Sequence, residues 1–461
     1  MTRRSGWGGS APFLAPQRGD GLSSRPGSSR RAAGWGSAIL AALGLVACTP
    51  EGAGLAPVEV PAGQLEWLLL PATPVVRVNT ASDGSAACPH TLPTTVDVVD
   101  DLAAGRTTVT VDTSPPSSLG PIVQEVKASA LQRIEVHLCG SSNSFHYQLA
   151  ASNRTLTRPR QLDITGADGP DYVTVDLFAN RSGHHVTVEQ PVGIALRTGS
   201  GSDQVEIRPN KLAGPAVAAT ADLGSGNDSF TLVTRSQPMQ GSLDLRVEGK
   251  QGNDGIFLDL YDTVPFVVPQ GSSITMHVSG DTLDTFAQIS DNLAKHGSDR
   301  LVAGFRGQVL GSLVISLVGD DNISRLKDVA CVEPVCAFRC ECASGPCPPP
   351  TPLEWPTCDA PRGLEAAIRN DPAYAGDTVK LRLDLTSGSS GSVTASLDGG
   401  LGGDEVVFDP TYLSAGGYFL TLRGGQPHHF KSPDRCYPAP GEGVVSVQDC
   451  DETLPGPGDF N

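Results

Sequence analysis

Aromatic residues make up only 5% of this 461-residue chain, and its 33 basic residues are outnumbered by 50 acidic ones. No segment sustains a helical apolar period, which argues against a bundle or an α/β enzyme. With residues 1–47 set aside, 27 basic residues face 49 acidic ones, a net charge of −22. Such a surface repels phosphate backbones and excludes nucleic acid as a partner. The apolar run near the start, Ala38 to Ala47, is too short for a membrane-spanning helix but fits the core of a signal peptide. Motifs of catalysis are missing too: there is no G-x-S-x-G elbow, no H-E-x-x-H helix and no phosphate loop. The adjacent histidines His184-His185 and His428-His429 would point to opposite faces of a strand, a poor pair of ligands. What the chain has in abundance is glycine (53) and proline (37), the residues of turns.

The glycines recur in a frame. Gly226 stands two residues before Asp228, and Phe230 and Leu232 follow at two and four residues after it. The frame returns at Asp171, Asp203, Asp254 and Asp404, each with a glycine two before and apolar residues two and four after. Upstream alternating runs such as Leu243/Leu245/Val247 and Val393/Ala395/Leu397 supply a second strand per unit. From Asn143, a degenerate first member, the spacings to Asp171, Asp203, Asp228 and Asp254 are 28, 32, 25 and 26 residues, with Asp284 and Asp321 continuing less faithfully. A repeat of this length built from short strands predicts an all-β solenoid, a parallel β-helix with one repeat per coil. Antiparallel hairpins in a sandwich or propeller are the competing architecture, since glycine turns also serve hairpins. Pro121 to Leu131, with Ile122, Val123, Val126 and Leu131 on one face, reads as a short helix.

The domain plan is a leader and signal over 1–47, a tether over 48–57 and a repeat domain over 58–330. A Cys-rich insertion over 331–358, a second β segment over 359–450 and a disordered tail over 451–461 complete it. Eleven cysteines fit an oxidising compartment. Apart from Cys48, the ten candidates for disulfides are Cys88, Cys139, Cys331, Cys336, Cys340, Cys342, Cys347, Cys358, Cys436 and Cys450. Proximity suggests Cys88–Cys139 and Cys436–Cys450. Zinc at Cys331–Cys358 is the alternative, but the spacing lacks paired C-x2-C ligands.

Leu45-Val46-Ala47-Cys48, at the end of the apolar run, resembles the lipobox of bacterial lipoproteins. The resemblance implies cleavage before Cys48, acylation of its sulfur and new amino group, and, with Thr49 next, a place in the outer membrane or at the cell surface. Gly399-Gly-Leu-Gly-Gly-Asp404-Glu-Val resembles the nonapeptide of hemolysin-type (RTX) calcium proteins, and the turns at Asp171, Asp203, Asp228 and Asp254 match it in part. That resemblance implies calcium between stacked turns, with these five aspartates as ligands. The alternative is a metal-free Asx-turn at each. The segment from Cys358 to Leu385 is weakly similar to the one that opens many bacterial surface β-helices, which implies a second, shorter solenoid there.

The expectation for function is a lipid-anchored cell-envelope module, structural, adhesive or recognising a glycan or protein ligand, stabilised by calcium. A carbohydrate-active β-helix enzyme, with acids such as Asp176, Asp244 and Asp259 on outer faces, is the alternative. A binding module centred on 331–358, with the solenoid as a stalk, is a third.

Overall fold

The computed structural model describes residues 66–69, 74–78, 93–113, 121–127, 132–150, 155–156, 158–177, 187–188, 190–209, 217–234, 241–261, 265–281, 297–320, 376–400, 403–412, 418–425, 433–438 and 444–454. Cys48, Cys88, the six cysteines from Cys331 to Cys358, Asp284, Asp321 and the two histidine pairs lie outside the described residues.

Two long sheets run the length of the molecule, of 12 and 14 strands among the described residues. Sheet A carries, in spatial order, Arg133–His137, Arg160–Thr165, Val192–Arg197, Val217–Asp222, Leu243–Lys250, Ser273–Asp281, Ser312–Asp320, Ser392–Asp398, Phe419–Arg423 and Val444–Gln448, all parallel. Sheet B carries the strands that alternate with these in sequence, among them Asn143–Ala150, Asp171–Asp176, Gln204–Arg208, Ser229–Val233, Gly255–Leu260, Arg300–Val309, Thr378–Leu385 and Glu405–Tyr412. The chain climbs from a strand of A through a tight corner to a strand of B and returns one step higher, about 4.8 Å per coil. This is a parallel β-helix. The expected solenoid holds, and the hairpin sandwich does not.

Strict alternation makes the core. In Asn143–Ala150 and Val192–Arg197 every second side chain is buried, because successive residues of a strand face opposite sides. The parallel register stacks equivalent residues: Phe145, Val173, Val205, Phe230, Ile256, Leu301 and Val379 form one buried row along sheet B. Each coil buries its apolar residues only against neighbouring coils, so the length of the stack is what builds the core.

Three expectations change. Ile122–Lys127 is a strand, not a helix, paired antiparallel with Arg106–Thr113; the β-branched Ile122, Val123 and Val126 suit a pleated strand better than a helical turn. Arg106–Thr113 pairs antiparallel with Thr94–Asp101, and Glu66–Leu69 with Pro74–Val78, so antiparallel hairpins close this end of the stack. The second β segment extends the same array, as the domain plan allows, and begins no second solenoid: Thr378–Leu385 and Ser392–Asp398 pair directly with Arg300–Val309 and Ser312–Asp320. Nor does the tail start at 451, since Glu452–Thr453 adds a last strand beside Arg435–Tyr437.

The expected Cys436–Cys450 disulfide is present, with Cα atoms 6.0 Å apart, and ties the final coils together. Cys139 is also disulfide-bonded.

Candidate functional site

Most corners from sheet A to sheet B share one spacing. Five residues separate Gly166 from Asp171, Gly249 from Asp254 and Gly399 from Asp404, and the same step leads from Leu138 to Asn143. The aspartate stands at the start of the strand of sheet B, and its side chain turns inward. Asp171, Asp203, Asp228, Asp254 and Asp404 are all at most 3% exposed.

These side chains form a continuous ladder. One carboxylate oxygen of each aspartate accepts the main-chain N–H of the aspartate one coil earlier: Asp171 N–H donates to Asp203 Oδ1 at 2.7 Å, Asp203 to Asp228 at 2.8 Å and Asp228 to Asp254 at 2.8 Å. The ladder then runs through residues that the sequence frame had not marked. Asp254 N–H donates to Asp299, Asp299 to Asp377, Asp377 to Asp404, Asp404 to Asp434 and Asp434 to Asp451. Asn143 heads it for a chemical reason. Its Oδ1 accepts Thr94 N–H at 3.1 Å while its Nδ2 donates into Asp171 Oδ1 at 2.7 Å, a donation that a carboxylate could not make.

The other oxygen, Oδ2, lies against the α-carbon that opens the corner. A β-carbon on Gly166, Gly249, Gly280, Gly319 or Gly399 would fall on Oδ2 of Asp171, Asp254, Asp299, Asp377 or Asp404 respectively. In Asp228, Asp254, Asp299, Asp377 and Asp404 this buried Oδ2 makes no hydrogen bond. Such a group is costly when charged, and its proton is held accordingly. Burial raises Asp171 to about 6, Asp228 to about 7 and Asp254 to about 9, and the charges of Asp203 next to Asp171 and Asp228 and of Asp299 next to Asp254 add to the shift. Burial raises Asp203 as well. Asp299, Asp377 and Asp404 stand well above the usual carboxylate range, burial first and neighbouring carboxylates second.

At the five turns expected to hold calcium, much of the oxygen set is engaged in hydrogen bonds. One oxygen of each ladder carboxylate already accepts an amide. Turn carbonyls of Ser200, Ser225, Gln251, Gly199 and Gly224 accept N–H groups from neighbouring coils. The carboxylates reach across coils, and Asp171 also accepts the Ala167 N–H of its own turn at 3.3 Å, as an Asx-turn would.

A second feature lies on the outer face of sheet A. Four consecutive strands bring Asp163, Ala195, Thr220 and Arg246 into one row, and Thr165, Arg197, Asp222 and Glu248 into the next. Ala195 and Thr220 are too small to fill their places, so the rows enclose an open trough of about 470 Å³ walled by Asp163, Arg197, Asp222, Arg246 and Glu248. Its walls are braced from the sides. Arg133 Nε lies 2.6 Å from Asp163 and 3.1 Å from Glu135, and Arg77 lies 2.6 Å from Glu135. Lys250 lies 2.6 Å from Glu248, and Arg246 donates to it at 2.5 Å. Burial works to raise the Glu248 carboxyl, but its bonds to Lys250 and Arg246 hold it below the usual range. Arg197 is exposed and makes no ion pair among the described residues.

Compared with known proteins, the chain matches no family model, no curated protein and no solved structure. The outer-face acids named with the enzyme alternative do not converge: Asp244 is on sheet A, while Asp176 and Asp259 sit on sheet B, with the strands Gln204–Arg208 and Ser229–Val233 between them.

Proposed function

We propose that this protein is an exported, lipid-anchored recognition module of the cell envelope, which holds a polyhydroxylated ligand such as a surface glycan in the trough of sheet A. The observation that carries this reading is the trough itself. Carboxylates and guanidinium groups are planar, two-pronged partners for neighbouring hydroxyls, and five of them surround a floor of Ala195 and Thr220. The ion pairs of Asp163 with Arg133 and of Glu248 with Lys250 and Arg246 fix three of these walls before a ligand arrives, which lowers the ordering cost of binding. Export and anchoring are supported by the lipobox-like Leu45-Val46-Ala47-Cys48.

Recognition is preferred to cleavage because a glycosidase needs a carboxyl that keeps its proton near neutral pH. Among the described residues, the carboxyls raised in that way are those of the ladder and Asp281, buried inside the coils and out of a ligand's reach.

The test joins both halves of the proposal. Cys48→Ser is expected to move the protein from the membrane fraction into the soluble one. In that soluble form, Ala195→Arg and Thr220→Trp fill the trough from outward-facing positions. Each should weaken binding to a glycan panel by about tenfold or more while leaving melting unchanged. Glycan binding that survives both substitutions would place the ligand elsewhere, and an unlipidated chain that stays on the membrane would remove the anchor.

A further inference from the structure

The corners of the β-helix differ at one position. The residue after the corner's opening position is Ala167, Gly199, Gly224, Lys250, Gly400 or Gly425 in most coils. In five of these six the backbone takes a positive φ, from 87° at Lys250 to 111° at Gly425. In two coils the residue is instead an aspartate in extended conformation, Asp281 at the end of Ser273–Asp281 and Asp320 at the end of Ser312–Asp320. These are the coils in which the corner takes a longer route to its ladder aspartate, Asp281 to Asp299 and Asp320 to Asp377.

The two are register partners on adjacent strands, and both turn toward the ladder. One carboxylate oxygen from each of Asp281, Asp299 and Asp320 lies within 4.8 Å of the other two. All three side chains are shielded: Asp281 is 0%, Asp299 2% and Asp320 5% exposed. Gly297 N–H donates to Asp281 Oδ2 at 3.0 Å, and Asp254 N–H donates to Asp299 Oδ1 at 2.7 Å. Asp299 Oδ2, however, makes no hydrogen bond. It packs against the α-carbon of Gly280, close to the Gly319 carbonyl oxygen. Lys250, beside Asp281 in the sheet, is engaged by Glu248.

We propose that Asp281, Asp299 and Asp320 form a dedicated site for one divalent cation of the calcium class, separate from the five turns that resemble calcium repeats. The donors are all oxygen, which selects a hard cation. An ion bound at about 2.3–2.6 Å from each ligand reaches oxygens spread this far, and the irregular set suits calcium better than the tight octahedron of magnesium. A bound cation would offset the mutual repulsion of three closely placed, shielded carboxylates. It also clamps adjacent coils at the two places where the chain departs on its longest excursions.

The full-length chain carrying Cys48→Ser, stripped with a chelator, is titrated with calcium and then with magnesium by calorimetry, and melted with and without each ion. The site predicts uptake of one calcium per chain, a higher melting temperature with calcium, and a weaker response to magnesium. Asp281→Asn and Asp320→Asn keep volume and hydrogen bonding, and each should weaken calcium binding by about tenfold or more. Asp228→Asn, in the ladder away from the cluster, should leave it unchanged. Far-UV circular dichroism shows whether each variant folds, and either aspartate variant alone is sufficient. The proposal is overturned if the folded wild type takes up no calcium, if Asp320→Asn or Asp281→Asn binds as the wild type does, or if Asp228→Asn abolishes uptake.

Discussion

Gly226→Ala is expected to be among the most damaging single substitutions in the molecule. Gly226 lies two residues before ladder residue Asp228, at a φ of 145°, where side-chain-bearing residues are essentially not found. A β-carbon there would fall on the carbonyl oxygen of Gly201 in the coil below, which is main chain and cannot swing aside. The coils cannot separate to make room either, because Gly226 N–H donates to Gln251 O at 2.8 Å and Gly201 N–H to Ser225 O at 2.8 Å. Strain and clash together should cost about 4 kcal/mol or more. In a stack whose units contact only their neighbours the damage should spread from this coil in both directions. Gly105→Ala is the control. Its φ of 68° is also positive, but a β-carbon meets nothing within 4 Å, so the expected cost is about 1–2 kcal/mol. Urea unfolding of the two variants beside the wild type separates crowding from conformational preference.

The second large effect is expected at the hairpin end of the stack. Arg160 Nε donates to Asp100 Oδ2 at 2.7 Å, with the two side chains 1% and 0% exposed. Thr107 donates to Asp100 Oδ1 at 2.8 Å and the Tyr147 hydroxyl to Oδ2 at 3.2 Å. Burial first, and then the Asp100 charge, push the Tyr147 phenol well above its usual range. Burial opposes the charge of Arg160, yet Asp100 keeps its guanidinium raised. Arg160→Ala strands the Asp100 carboxylate in an apolar core and should cost about 3–5 kcal/mol. Replacing both partners with apolar residues of similar size, Asp100→Leu with Arg160→Met, should recover most of that loss, because a buried ion pair contributes little beyond its own desolvation. Amide hydrogen exchange should report the loss first in Thr94–Asp101 and Asn143–Ala150.

Several parts of this architecture are legible in the amino-acid order. The period-two runs Val173/Val175, Val205/Ile207 and Phe230/Leu232 mark strands of sheet B, and the glycine two residues before each aspartate marks the corner. The later rungs keep the apolar spacing: Asp299 is followed by Leu301 and Ala303, and Asp377 by Val379 and Leu381. Counting in steps of about one coil leads to Asp284 and Asp321 instead, because excursions of variable length push the true rungs downstream. The apolar spacing after each aspartate was the better guide than the distance between them. Other features depend on register, which local pattern does not encode. Asp100 and Arg160 are 60 residues apart, and the trough exists only because Ala195 and Thr220 fall side by side on neighbouring strands. Asp281 and Asp320 match no repeat frame, since what distinguishes them is the departure from it.

The central claim is that the stacked aspartates are an interior ladder that holds its protons, and the pH dependence of melting tests it most directly. A folded-state pKa raised above the unfolded value, near 3.9 for aspartate, adds stability that is complete below the unfolded value. That stability is lost as pH rises through the folded value. With Asp171 at about 6, Asp228 at about 7 and Asp254 at about 9, the loss spans the neutral range. In chelator, the account predicts a melting temperature that falls steadily from about pH 5 to about pH 8, and a shallower fall in Asp228→Asn, whose amide does not titrate. A melting temperature that stays level or rises over that range in the wild type would contradict it.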